Sequence, residues 1–338
     1  MLVVSKPLIQ YLIGRIITYV ATLFAAFTII FLLLKAMPTS IVDLIIESMR
    51  ATGAVYDPQA LIQLREALYE IFGLKGSLLE QYVTFLRRFL TMDFGPSMIS
   101  FPTPAKELVV RYIPWTVGLL TFTTVLSWIV GNFLGTLATL FRKSKASKVL
   151  QGMALTLYPI PYYILALILI FLFAYILPVF PIGGGAPTAP LISLEFWKQV
   201  VYRSFLPAIS IILPSMFGWW FLSSSTLTLN VLSEDYYMYG ELRGLPKSYL
   251  FKKYVLRNIL LPQTTALALS LGGIFGGALL TEAVFAYPGL GLLLYRAVGS
   301  GDYGVALSIL SLSIIGISTA TLIIDLIYPL IDPRVRYR

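Results

Sequence analysis

Apolar runs long enough to cross a bilayer recur along this chain, and that repetition restricts its fold more than any other feature. The first, Leu8 to Leu34, is broken only by Gln10 and Arg15. A helix of about 20 residues spans a hydrocarbon core of about 30 Å. Inside that core the backbone must satisfy its own hydrogen bonds, which leaves helices or a closed barrel. The run exceeds the roughly 7–15-residue apolar region of a signal peptide and has no small-residue cleavage site, so we read it as a retained span. Five more follow, at 113–141, 149–177, 205–229, 263–286 and 305–331. Pro159 and Pro161 kink or interrupt the third.

Short basic segments orient the spans. Lys6 and Arg15 accompany the first, and the loop RKSKASK (Arg142 to Lys148) carries four basic residues in seven. The tail DPRVRYR is basic as well. Positive residues stay on the cytoplasmic side, so the pattern predicts an all-α polytopic membrane protein with six transmembrane helices and cytoplasmic N and C termini. The polar interval 37–111 then lies outside. Leu61, Leu64, Leu68 and Ile71 share one helical face that stops at Gly73, and Leu78, Tyr82, Phe85, Phe89 and Leu90 share another that stops at Asp93-Phe94-Gly95. This extracytoplasmic helical insertion either meets a soluble partner or only covers helix ends. Pro178 to Ser204, with its Gly183–Gly185 triplet, reads as a second outer loop.

Composition excludes several function classes. The chain is 58% hydrophobic and 12% charged over 338 residues, which no soluble domain matches. Its net charge of +9 sits at span ends and orients the protein, so nucleic acid is not an expected partner. Cys and His are absent, which removes disulfides, Cys or His metal sites and every Ser-His or Cys-His pair. There is no GxxxxGK[ST] loop for a nucleotide and no GxSxG elbow. A transport subunit without catalysis, metal or cofactor of its own is the expectation.

The stretch 233–262 stands out as a polar loop between two apolar spans. Tyr239 to Leu242 (YGEL) predicts a short helix, broken by Gly244 and Pro246. A second amphipathic helix is expected from Tyr249, Leu250, Tyr254, Val255 and Ile259, with Pro262 opening the fifth span. The stretch is either a knob presented to a partner or a solvated basic loop that sets topology. Within the spans, Glu282 and Asp325 are the notable acids, and ionisable groups at membrane depth mark functional candidates. Both lie near span ends, where water or a neighbouring helix can satisfy them, and no file of acids suits a proton relay. Gly272, Gly273, Gly276 and Gly277 form two interleaved GxxxG pairs, suited to helix packing or to a pathway wall of bare backbone.

A six-span chain with a cytoplasmic knob and no energy source of its own fits a channel-forming subunit driven by another protein. At Tyr236 to Pro262 it resembles the coupling motif of binding-protein-dependent ABC importer permeases. Gly240-Glu241-Leu242-Arg243-Gly244 stand where that family has Ala-Arg-Ala-Lys-Gly, and RNILLP (Arg257 to Pro262) matches its closing element. The spacing from Gly244 to Pro262 is similar to the first permease of the oligopeptide/dipeptide branch. So are FGL (Phe72 to Leu74), Gln81-Tyr82, DFGPS (Asp93 to Ser97), IPWT (Ile113 to Thr116), TEAVFAYPGLG (Thr281 to Gly291), Asp302-Tyr303 and DLIYPLIDPRVRYR. The chain departs from the pattern at Gly240 and Leu242, in Leu222 to Ser225, and at Met37-Pro38-Thr39, which lacks the usual Gly-Asp.

The resemblance implies a type I ABC importer permease fold. It also implies a coupling helix, Tyr239 to Arg243 with Gly244, Leu245 and Pro246, seated on a cytoplasmic ABC ATPase that binds ATP and Mg. A homologous second permease would complete the pathway, and an extracytoplasmic binding protein would deliver substrate. Gly272, Gly273, Gly276, Gly277 and Glu282 are the candidate pathway or gate residues. The family implies di- or oligopeptide as substrate, with oligosaccharide or nickel as alternatives. A self-contained secondary transporter would need an internal repeat and midplane charge, and a plain anchor would not need the glycine-broken knob.

Overall fold

A computed structural model describes residues 6–36, 41–51, 58–187 and 190–331; Met37-Pro38-Thr39 and the tail Asp332 to Arg338 lie outside them. The chain folds as α1 (Lys6–Lys35), α2 (Ile41–Ala51), α3 (Pro58–Ile71), α4 (Leu78–Thr91) and α5 (Ala105–Leu140). Then come α6 (Lys145–Leu157), α7 (Tyr162–Ile176), α8 (Leu194–Leu232), α9 (Asp235–Leu242) and α10 (Lys247–Gly276). The series ends with α11 (Leu279–Val284), α12 (Leu290–Gly299) and α13 (Tyr303–Ile331). Among the described residues five helices are long and apolar enough to cross a membrane, and six when the bent pair α6–α7 counts as one.

The elements follow from local chemistry. Ser77 caps α4 by a reciprocal capping box with Glu80, and Met92 in the left-handed region closes it. Ser144 and Ser193 cap α6 and α8 with their side chains. Pro159 and Pro161 cannot continue a helix, and α6 meets α7 at 99° across them. The third span is therefore interrupted rather than merely kinked.

Helix bounds differ from the expected spans in four places. The helix carrying the second span starts at Ala105, well before Ile113, because nothing between them stops it and Pro114 is tolerated within it. The outer loop expected at 178–204 gives way to α8 from Leu194, started by the Ser193 cap. The helix through Tyr249 to Ile259 is the first part of α10, and Pro262 lies inside α10 instead of opening a new segment. At its far end α10 finishes at Gly276, so the fifth span is not one helix to Ala286. The glycine pairs accordingly do not lie on one helical face: Gly272 ends the α-helical part, 273–276 is a tighter 3₁₀ turn, and Gly277 has left the helix at φ +71°.

Packing centres on α5 and α8. Gly131 and Gly135 let the two backbones touch, since a Cβ at Gly131 would sit 2.6 Å from the Met216 carbonyl oxygen and one at Gly135 2.4 Å from that of Phe221. Hydroxyls join the same seam, with Thr136 and Ser224 2.8 Å apart and Ser225 donating to the Gly135 carbonyl at 3.1 Å. Trp128 donates to the Gln263 carbonyl at 3.0 Å and Gln263 to Ser223 at 2.8 Å, which brings α10 into the bundle. Helix α1 lies along α13, where Arg15 pairs with Asp325 at 3.1 Å and Tyr11 donates to the Asp325 carbonyl at 2.6 Å. Asp325 is thus satisfied by a neighbouring helix. Phe27 and Phe89, with ring centroids 3.8 Å apart, fasten α4 to α1.

Candidate functional site

Two clusters gather the motifs singled out above. The first is the knob. Helix α9 buries Tyr237 and Gly240, three residues apart on one face. They sit on a platform of Val231, Leu250, Val255 and Ile259 contributed by the ends of α8 and α10. Gly240 is where Leu250 comes closest: an added Cβ would lie 2.7 Å from the Leu250 Cδ2. Burial pushes the Tyr237 phenol above its ordinary pKa, and the neighbouring Glu241 carboxylate acts in the same direction, so the phenol keeps its proton.

Helix α9 ends in a Schellman closure. Leu245 N–H donates to the Gly240 carbonyl at 3.2 Å and Gly244 N–H to that of Glu241 at 2.9 Å. Gly244 has φ +73° with open space around its Cβ position, so the conformation, not crowding, calls for glycine. Pro246 then leads directly into α10. Tyr236 stacks on Tyr254 with centroids 5.9 Å apart and accepts from Asn258 at 3.3 Å, so α9 is braced on α10 from the side as well.

The opposite face of α9 is bare. Leu242 is 86% exposed and Tyr239 63%, with Met238 beside them at 45%. Glu241 and Arg243 are exposed around this stripe, and the Arg243 guanidinium lies over the Tyr239 ring at 5.8 Å. Tyr239, Glu241, Leu242 and Arg243 therefore share an apolar patch with a charged rim, while Gly240, Gly244, Leu245 and Pro246 shape and seat it.

The second cluster is built around Glu282, which is fully buried. Its Oε1 accepts from Thr116 at 3.0 Å and from Ala278 N–H at 3.3 Å; its Oε2 accepts from Gly291 N–H at 2.7 Å and Leu292 N–H at 3.3 Å. Leu290 N–H donates to the Thr116 hydroxyl at 2.6 Å. The carboxylate thus caps the first turn of α12, where free N–H groups and the helix dipole favour negative charge. Space is set by glycine: a Cβ on Gly289 would fall 2.2 Å from Glu282 Oε2, and one on Gly277 2.6 Å from Gly291 N. Gly184 N–H reaches the Phe285 carbonyl at 2.6 Å, so the glycine triplet docks here too.

Of the other candidate glycines, Gly272 packs on α13, where a Cβ would lie 2.4 Å from that of Ala320. Gly276 faces Ser313, and Gly273 has nothing within 4 Å of its Cβ position. Gly277 and Glu282 are thus brought together, Gly272 and Gly276 serve the contact with α13, and Gly273 borders open space.

Three contributors were not among the candidate site residues read from the sequence. Thr116 is the last residue of IPWT, and it binds the glutamate of TEAVFAYPGLG, so two motifs more than 150 residues apart form one knot. Asp302 is fully buried and accepts from Ser97 Oγ at 2.5 Å, Met98 N–H at 2.7 Å and Ile99 N–H at 3.0 Å. It pins the end of DFGPS to the start of α13. The Gly131–Gly135 pair had a legible signal, a GxxxG spacing inside a span.

Comparison with known proteins gives the family. The model of the family described as "Binding-protein-dependent transport system inner membrane component" matches residues 131–337. The oligopeptide transport system permease protein AppB of Bacillus subtilis (strain 168) is 28% identical, across 97% of this chain and 99% of its own length. The glutathione transport system permease protein GsiC of Escherichia coli (strain K12) is 27% identical, across 98% of this chain and its full length. A match over more than half the chain, in a bundle of membrane-length helices, places this protein in the multi-pass membrane: it belongs to the binding-protein-dependent transport system inner membrane components, the permease subunits of ABC importers.

Proposed function

We propose that this permease works as one half of a peptide importer, with its α9 end in the cytoplasm. In this reading α9 sits in a groove of an ABC ATPase subunit, Leu242 and Tyr239 as anchors and Glu241 and Arg243 at the rim. One or two such ATPases bind ATP and Mg and do the hydrolysis; this chain has no nucleotide site of its own. Their closure moves α9, and because α10 is continuous from Lys247 to Gly276 the movement passes along the fifth span. A homologous second permease completes the pathway, and an extracytoplasmic binding protein delivers cargo to the end bearing α2, α3 and α4.

The observation that carries this reading is the bare stripe of α9 on a rigid seat. Leu242 at 86% exposure is poorly placed for a loop that only sets topology, and well placed for a partner. Short peptides are the proposed cargo, supported by relatives named for oligopeptide and glutathione transport. Gly272, Gly276, Gly277 and Glu282 support the pathway by holding helix ends together, and Gly273 contributes bare backbone to its wall.

The test is purification of the tagged chain from its native membrane, with the partners identified by mass spectrometry, followed by ATPase assays. A second six-span permease and at least one P-loop ATPase should copurify, and loaded binding protein should stimulate hydrolysis. Gly244→Asp should insert and assemble normally yet lose the stimulation. Recovery of the chain alone as a stable homo-oligomer, or normal stimulation in the variant, would overturn the proposal.

A further inference from the structure

Three spans lose regular helix geometry at one place. The third breaks between Leu157 and Tyr162. The fourth widens into a π turn over Ser215–Trp220, directly after Pro214. The fifth ends at Gly276, followed by the left-handed Gly277. Helix breaks of this kind free backbone groups and cluster at functional sites. All three border one aromatic hollow. A cavity of about 530 Å³ is lined by Tyr158, Tyr162, Tyr163, Trp219, Ala278 and Leu279, among others. A neighbouring one of about 510 Å³ shares Tyr162, Trp219 and Ala278 with it and reaches Gly273 and Gly277.

The hollow opens on the flank of the bundle, about halfway along the spans. Helix α6 has 13 residues, so its end beside Tyr158 is about 20 Å above the basic loop at a rise of 1.5 Å per residue. A similar stretch of α8 separates Trp219 from Leu232, beside α9. With a hydrocarbon core about 30 Å thick, this depth is near the midplane, away from the interfacial belts where Trp and Tyr ordinarily collect. Trp219 is nonetheless 53% exposed, and Tyr158 55%. No carboxylate, ammonium or guanidinium lines either cavity.

We infer that Tyr162, Tyr163 and Trp219, with the bare backbone at Gly273, form a midmembrane station that holds the cargo in transit through its uncharged part. The inference rests on the importer reading above and names the chemistry of its pathway. Indole and phenol groups offer ring faces and hydrogen bonds to amides, and they ask for no charge. The class of ligand is therefore peptide main chain with apolar or aromatic side chains. On that reading the second permease closes the open flank of the hollow and completes the site. A neutral, shallow holder suits a pathway, because cargo held by a buried ion pair would leave slowly.

The experiment uses the complete complex, purified with its partners and placed in proteoliposomes. Photoreactive p-benzoylphenylalanine replaces Tyr163, or Leu155 as a control that lines neither cavity and is 69% exposed on α6. The probe is a tritiated mixture of tri- to pentapeptides loaded on the binding protein. During ATP turnover, illumination should label this chain at position 163 at least fivefold above position 155. In parallel, Trp219→Ala should lower peptide uptake about tenfold in complexes that still copurify with their partners, and Trp219→Phe should keep most uptake. Labelling by lipid alone at position 163, or wild-type uptake by Trp219→Ala, overturns the station and leaves the importer reading standing. Absence of peptide uptake by the unmodified complex, with its ATPases present, overturns the peptide reading and the station with it.

Discussion

The Glu282 knot and the α9 knob solve opposite problems with similar economy of residues. In the knot every strong polar group has found a partner inside the chain: one carboxylate takes up four donors, and glycines leave just enough room for it. In the knob the inner face is closed, by Tyr237 and Gly240 on Leu250, while the outer face is left without one. A region complete in itself resists movement and serves as a frame. A region complete on one side only transmits movement, because its other half belongs to something else. The comparison predicts that substitutions in the knot act on stability and those on the outer face of the knob act on assembly.

The largest effect should come from Glu282→Leu. It strips three N–H groups and the Thr116 hydroxyl of their acceptor in a buried place, at about 1–3 kcal/mol for each unsatisfied group. Little folded protein should be recovered on size exclusion in detergent, and Glu282→Gln should recover part of it. Wild-type yield and melting temperature for Glu282→Leu would break the idea of a frame. Next is Gly289→Val, which drives side-chain atoms into the same carboxylate; about 2–3 kcal/mol should be lost, read as a lower melting temperature with ATPase contacts unaffected.

Leu242→Asp sharpens the contrast from the other end. Stability should change by no more than about 0.5 kcal/mol, as expected of an exposed position. Affinity for the ATPase should fall roughly thirtyfold, the cost of about 2 kcal/mol for losing an apolar anchor. Copurification of the ATPase at increasing detergent wash reads the loss, and unchanged recovery would remove Leu242 from the interface. The smallest effect is expected for Gly244→Ala, which meets no neighbour and carries only the left-handed backbone cost of about 1–2 kcal/mol. Stimulated ATP hydrolysis should drop a few-fold with expression intact, less than for Gly244→Asp. A Gly244→Ala loss as complete as that of Leu242→Asp would show that the bend, and not the apolar stripe, dominates docking.

Much of this was legible in the chain itself. Six apolar runs and the Gly244-Pro246 break announce the spans and the knob, because hydropathy and φ preference are local properties. The same locality explains what was not legible. Whether Tyr249 to Ile259 starts a new helix or continues into the fifth span depends on Pro262 being accommodated inside α10. The GxxxG spacing of Gly272 to Gly277 reads as one helical face, yet the helix ends within it because the Glu282 knot draws Ala278 and Gly291 together. The identical spacing at Gly131 and Gly135 lies within a continuous helix and does make the close contact with α8.

By itself, then, the sequence determined the membrane-spanning class, the helical character and the place of the knob, since each depends on side-chain hydropathy and backbone preference over a few consecutive residues. Only the tertiary structure decided that Thr116 and Glu282 share one hydrogen-bonded knot, that Asp302 holds residues 97–99, and that three interrupted helices border one hollow. These contacts join residues far apart in the chain, and burial, which makes each of them matter, exists only once the bundle has closed.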